Sequence, residues 1–179
     1  MAANADTFRL FLALWPNDQV RARLQGVSRD VVRNMGKPVP IQNLHITLAF
    51  LGYVDGATKA CIEQAAGQVR QPPFQLVLDQ VGYWPRPRVL WFGCAEAPDP
   101  MLTLVRDLQA RFEACGCKPE KRPYHVHLTL ARNVRHPRID RQPDPVRWDV
   151  MDFALVESQT LPEGAVYRVL RSWPLQDQA

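Results

Sequence analysis

A two-lobed α+β fold is the class this sequence predicts, with two largely antiparallel sheets, helices on their outer faces and a pseudo-twofold axis through a central cleft. Three observations carry the prediction. Strand-like segments outnumber helical ones, and most strand connections read as hairpins, which argues antiparallel pairing. One strand phrase is also written twice, as NLHITLAF around His45 and Thr47 and as VHLTLAR around His127 and Thr129, with a helix in each half.

The elements follow in order. Residues 9–15 read as the first strand, and Pro16 with Asn17 suits a helix start. Residues 18–34 carry Val20, Leu24, Val27 and Val31 at helical spacing, ended by Gly36, Pro38 and Pro40. The first histidine strand follows and is closed by Gly52. A second helix is expected over 57–69, with Cys61, Ile62, Ala65 and Val69 on one face, and Pro72 and Pro73 release the chain from it. Alternating Phe74, Leu76 and Leu78, then Val81, mark a strand over 74–83, which the turn WPRPR pairs with a strand over 89–94. The third helix, over 100–114, buries Leu102, Val105, Leu108 and Phe112, with Gly116 as its C-terminal cap. After the second histidine strand come strands over 148–158 and 167–173, joined by a turn at Pro162, Glu163 and Gly164. The Pro- and Arg-rich stretch 135–145 is the expected mobile loop.

At 179 residues, with no long linker, the chain is expected to form one domain over 1–179. A hydrophobic content of 46% with 22% charged residues excludes an intrinsically disordered chain. The formal charge of +4 leans towards polyanionic partners. The longest early apolar stretch, Phe8 to Trp15, is interrupted by Arg9 and is too short for a membrane span. The opening MAANADT has no basic region leading into an apolar core, so no secretory leader is read and a cytoplasmic protein is expected. Cys61, Cys94, Cys115 and Cys117 lack the CxxC spacing of a structural zinc site and are expected as reduced thiols, with no metal or other cofactor.

Side chains alternate along a strand, so His and Thr two residues apart share a face. Alternation puts His45, Thr47 and Ala49 opposite Ile46, Leu48 and Phe50, and His127, Thr129 and Ala131 opposite Leu128 and Leu130. Packing requires an apolar pattern, but it gives no reason for His and Thr to recur at matched places in two distant segments. Two imidazoles across one cleft are the minimum equipment for paired general acid and base catalysis, and the threonine hydroxyls can bond oxygens where charge develops. Arg132 is a phosphate or ribose candidate, yet strict alternation sends it to the face opposite His127, so a bulge or strand end is needed. Phe50, Tyr124 and Trp84 are candidate stacking surfaces for a nucleobase. Arg86 and Arg88 are placed beside the groove, and His125 and His136 are taken as bystanders.

The paired motifs, together with RLFLALWP, GYWPRPRVLWFG and LVESQTLPEGAVYRVLRSWPL, give a sequence that resembles the RNA 2′,3′-cyclic phosphodiesterases, also called 2′-5′ RNA ligases, of the two-histidine phosphoesterase superfamily. The likeness covers nearly the whole chain and departs from the family where Val126, rather than proline, precedes the second histidine. It implies a bilobal fold with a basic, water-filled groove, and metal-independent hydrolysis of RNA 2′,3′-cyclic phosphate ends to 2′-phosphomonoesters, with 2′-5′ ligation as the reverse. It further implies His45 as proton donor and His127 as proton acceptor. The expected partner is RNA with cyclic phosphate ends, tRNA fragments among them, met by a monomer away from membranes. The alternatives are a catalytically silent binder of RNA ends and a relative acting on small cyclic nucleotide phosphates.

Overall fold

In a computed structural model, residues 7–162 and 164–176 are described. The first strand, β1 (Phe8–Leu14), is buried without interruption from Leu10 to Leu14, so it must be covered on both faces. Leu10, Leu12 and Leu14 enter the main core, whereas Phe11 and Ala13 join a separate cluster with Ala154 and Val156 on the opposite face. That division organises the molecule. The helices α1 (Asp18–Val32), α2 (Gly56–Ala66) and α3 (Asp99–Ala114) all send their apolar stripes into the main core, through Leu24, Ile62 and Leu108 among others. The other face of the sheet is left for the site.

The helix ends are chemically specified. Asn17 caps α1 by accepting from the Val20 amide at 2.9 Å, and Asp55 caps α2 by accepting from the Thr58 amide at 2.8 Å. At the end of α3, Gly116 takes φ +83 as predicted. Its amide donates to Glu113 and that of Cys117 to Phe112, closing a Schellman motif.

The remaining strands are β2 (Lys37–Pro38), β3 (Ile46–Val54), β4 (Phe74–Leu78), β5 (Gln80–Trp84), β6 (Val89–Gly93), β7 (His127–Arg132), β8 (Val146–Val150), β9 (Asp152–Leu161) and β10 (Gly164–Pro174). Every named pairing is antiparallel. The large sheet runs β10-β9-β1-β3-β7-β6-β5, with β2 also paired to β7, and β4 and β8 form a separate ribbon. The antiparallel α+β class is therefore as expected. The pairing differs from two comparable sheets: the strands form one path with a narrow waist, where β3 and β7 meet only at Ile46 and Leu128.

Two expected strands are each split in two. The segment 74–83 breaks at Asp79, whose amide donates to the Gly93 carbonyl and whose carboxylate accepts from the Ala95 amide. This local bonding leaves β4 in the ribbon and sends β5 to the large sheet. The segment 148–158 breaks at exposed Met151, whose carbonyl accepts from Leu175 instead of continuing a ladder. Of the expected turn at 162–164, Glu163 lies outside the described residues, and Gly164 pairs with Leu161. The 135–145 stretch has no regular structure but is fastened in two places: Gln142 bonds both the amide and the carbonyl of Val81, and the Arg138 amide donates to the Met35 sulfur.

The cysteine expectation needs correction. Cys61 on α2 and Cys115 at the end of α3 form a disulfide, because packing of the two helices brings residues 54 apart in sequence to a Cα separation of 5.8 Å. Cys94 and Cys117 are free thiols. Among the described residues no helix is long and apolar enough to cross a membrane.

Candidate active site

His45 immediately precedes β3 and His127 opens β7, so the single pair Ile46 with Leu128 sits between them. On the register this pair defines, residue 45 lies across from 129 and residue 47 across from 127. Each histidine thus faces the threonine of the other motif, and the two histidines are diagonal neighbours, for which ideal spacing is about 7–8 Å. Register is held by burial. Leu128 and Leu130 are fully buried, each contributing roughly 1.5–3 kcal/mol, and a slip of one residue would exchange them with His127 and Thr129.

Both imidazoles are oriented in the same way. Nδ1 of His45 lies 2.7 Å from the Asn43 carbonyl, and Nδ1 of His127 lies 2.9 Å from the His125 carbonyl. A carbonyl only accepts, so each Nδ1 carries a proton and donates it, leaving both Nε2 atoms for chemistry. Asn43 is itself fixed, its side-chain amide donating to the Ala165 carbonyl of β10.

Packing around the two rings differs. Trp15 stacks on His45 at 5.6 Å between centroids, while Phe11 and Tyr167 approach it at 4.8 and 5.2 Å. Arg21 lies over Trp15, its guanidinium donating to the Ile41 and Pro16 carbonyls. His127 instead meets Trp84 in an edge contact at 4.6 Å. Burial, first, and then the charges of His127, Arg132 and Arg21 push the His45 pKa down to about 4, against the Asn43 bond, which raises it. Burial also lowers the pKa of His127, helped by His125 and Arg132 and opposed by the His125 carbonyl. Both shifts favour the neutral imidazole.

Strand irregularities correct the alternation in both motifs at the same point. Opposite β3, Leu12 pairs with Ala49 and Ala13 with Thr47, so Leu48 is an extra, bulged residue. Opposite β7, Leu90 pairs with Ala131 and Trp91 with Thr129, so Leu130 is bulged. Past each bulge the faces exchange. Ala49 and Ala131 turn to the main core rather than leaving room in the groove. Phe50, expected on the apolar face, turns to the site face: it pairs with Phe11, their rings 6.3 Å apart, and is 69% exposed. Arg132 is exposed at the end of β7, and its charge is felt at both imidazoles; the bulge its placement required is present.

Thr47 and Thr129 are half-buried, and neither hydroxyl bonds another described residue. Trp84 is at the site, against His127. Tyr124, nominated for stacking, packs its ring on the core and donates its hydroxyl to the Thr47 carbonyl at 2.8 Å, tying the entry of β7 to β3 where their ladder stops. Burial raises its phenol pKa. Arg86 and Arg88 are exposed in the β5–β6 turn. His125 is no bystander: its carbonyl holds His127 and its ring packs between Trp91 and Trp84. Sequence reasoning also missed Phe11, Trp15, Tyr167 and Arg21. A signal existed for Phe11, since β1 is apolar on both faces. Among the described residues no group of three or more His, Cys, Asp or Glu side chains gathers as a metal ion would require.

A profile of the 2′-5′ RNA ligase superfamily matches residues 16–160. The chain belongs to this superfamily. It is 36% identical over 142 residues to the RNA 2′,3′-cyclic phosphodiesterase of Escherichia coli, covering 78% of this chain and 80% of that protein. It is 35% identical over 185 residues to the protein of the same name from Thermus thermophilus, covering 95% and 91%. The crystal structure of E. coli LigT complexed with 3′-AMP superposes with a TM-score of 0.88 at 32% identity, covering 95% of this chain and 99% of that one. The superfamily likeness read from the paired motifs thus extends to the whole fold.

Proposed function

We propose that the protein hydrolyses 2′,3′-cyclic phosphate ends of RNA to 2′-phosphomonoesters through its two histidines. The observation that carries the reading is the matched pair of imidazoles, each held through Nδ1 by the carbonyl two residues before it, which leaves both Nε2 atoms for the substrate. The names of the relatives and the 3′-AMP complex of LigT support the substrate class.

In the proposed reaction His127 takes a proton from water as its oxygen attacks phosphorus. The bond from phosphorus to O3′ breaks, and His45 gives its proton to the departing oxygen. The O2′ bond remains. In-line displacement separates nucleophile and leaving group, which suits two imidazoles on a diagonal better than one. Thr47, Thr129 and Arg132 bond the non-bridging oxygens, and Phe50 and Trp84 stack on the base. Tyr124 acts by positioning Thr47. The matched bulges and the diagonal about the Ile46–Leu128 pair support reading the halves as pseudo-twofold lobes about the groove. A cyclic phosphate requires a 2′-hydroxyl, so the chemistry selects RNA, tRNA fragments included. The same path in reverse joins a cyclic end to a 5′-hydroxyl.

The test is incubation in EDTA with a short RNA ending in a 2′,3′-cyclic phosphate, resolving the two phosphate isomers. Exclusive 2′-phosphate supports the proposal; bound RNA without turnover would make the protein a binder of RNA ends.

The electrostatics give a second expectation. One imidazole must be charged and the other neutral, so kcat/KM should be bell-shaped. With limbs at the free-protein values, about 4 for His45 and lowered for His127, its optimum lies on the acid side of the ordinary imidazole pKa. A bound phosphate anion favours the charged forms and raises both values, so the kcat profile is displaced to higher pH and binding takes up a proton. The donor role of His45 thus depends on the substrate lying beside it. A kcat/KM that only rises through neutrality would refute this account.

A further inference from the structure

We infer that a second, basic cleft beside the site binds the phosphodiester backbone of the RNA upstream of its cyclic end, an inference that rests on the RNA-end reading above. The cleft, about 530 Å³, lies between the α1–β2 connection and the segment after β7, and is lined by Arg33, Gly36, Asn133, Arg135, His136 and Arg138 among others. No carboxylate lines it, and the three arginines make no ion pair with described residues. The adjoining larger cavity, which shares Arg33 and Arg138, is lined also by Asp30, Asp140 and Asp144. That larger cavity also carries Arg23 and Arg141 and so mixes both signs of charge, whereas the cleft next to β7 presents its arginines with no carboxylate in the lining.

Position connects this cleft to the chemistry. Asn133 directly follows Arg132, and Gly36 packs its backbone so closely on the Arg132 carbonyl that no side chain fits there. A strand rises about 3.3 Å per residue, so the cleft begins roughly 20 Å along β7 from His127. A cyclic end held between the histidines leaves the rest of the strand to follow a charged path out of the groove. Arg132 is the first cation on that path and the cleft supplies the next ones.

The cleft is also built rather than accidental. Three of the four described non-glycine residues with left-handed backbone, Arg33, Asn34 and Asn133, line it, so a tight turn shapes each wall. The Arg138 amide bond to the Met35 sulfur holds the two walls together. No Phe, Tyr or Trp lines it, so the contacts are to phosphates and not to bases, and sequence preference should be absent.

The test compares the wild type with Arg33→Gln/Arg135→Gln/Arg138→Gln and with the matching triple lysine variant. A fluorescent oligouridylate ending in 3′-phosphate reports affinity over a salt series, and uridine 2′,3′-cyclic phosphate reports turnover that needs no backbone. The glutamine variant is expected to bind the oligouridylate about tenfold or more weakly, with a log–log salt slope smaller by about 2, as loss of three single-strand phosphate contacts predicts. Turnover of the mononucleotide should be unchanged, and the lysine variant should keep most of the affinity, which separates lost charge from damaged folding. Equal affinity and slope in wild type and glutamine variant would overturn the inference. So would displacement of the RNA by polyglutamate as readily as by polyuridylate, which would mark a surface for acidic protein segments. If the wild type turns over no cyclic phosphate, the catalytic reading falls, while the affinity comparison still decides the cleft.

Discussion

Replacing His45 or His127 by alanine is expected to lower turnover of a cyclic-ended RNA by about 10²–10⁴-fold each, the range for a positioned general acid or base. KM should move little, since neither imidazole is the main holder of the phosphate. The double variant should be far less impaired than the product of the two losses, because groups that act together are not additive. Each single variant should also lose one limb of the pH profile. His125→Ala is the discriminating control. Its backbone carbonyl, which orients His127, survives the change, so the rate should stay within a few fold of wild type despite the lost packing on Trp84 and Trp91. Single-turnover kinetics on folded protein decide the matter, and a His127→Ala protein at wild-type rate would eliminate the mechanism.

The second large effect is expected at a residue that has no side chain to react. Gly93→Ala would drive its new methyl into the carbonyl oxygen of Val126, a backbone atom that cannot rotate away. Gly93 is the residue paired with His127, so β6 must move from β7 at the proposed proton acceptor itself. Overpacking of this kind costs about 1–3 kcal/mol of stability, and a displacement near 1 Å can cost about 10²-fold in rate. Thermal unfolding and kcat measured well below the transition should both fall. Gly26→Ala, within α1 where an added methyl meets nothing within 4 Å, should leave the rate alone and raise stability by about 0.5–1 kcal/mol. If Gly93→Ala matched Gly26→Ala in stability and rate, the tight β6–β7 approach would not matter to the site.

Much of the site was legible because its spacing is local. His and Thr two residues apart share a face in any strand, and the recurrence of that pair exposed both catalytic candidates. The cap residues Asn17 and Gly116 were legible for the same reason, each acting on amides or carbonyls within a few positions. The breaks at Asp79 and Met151 were not. They depend on bonds to the Gly93 and Ala95 backbone and to the Leu175 amide, partners that only the folded chain supplies.

The sequence by itself determined the α+β class, the helix-forming segments, the two His-Thr faces and the superfamily they belong to, since each rests on period, capping or motif within a short window. Only the tertiary structure decided which side chains surround those faces. A bulge is set by the register of the neighbouring strand, so nothing within either motif announces that Leu48 and Leu130 are extra residues or that Phe50 and Arg132 therefore turn to the face that carries the histidines. Trp15, Tyr167 and Arg21 reach His45 from the end of β1, from β10 and from α1. Cys61 finds Cys115 only because α2 packs on α3. In each case the deciding contact spans a separation over which a linear pattern carries no geometry, and burial of the apolar faces in one core brings the partners together.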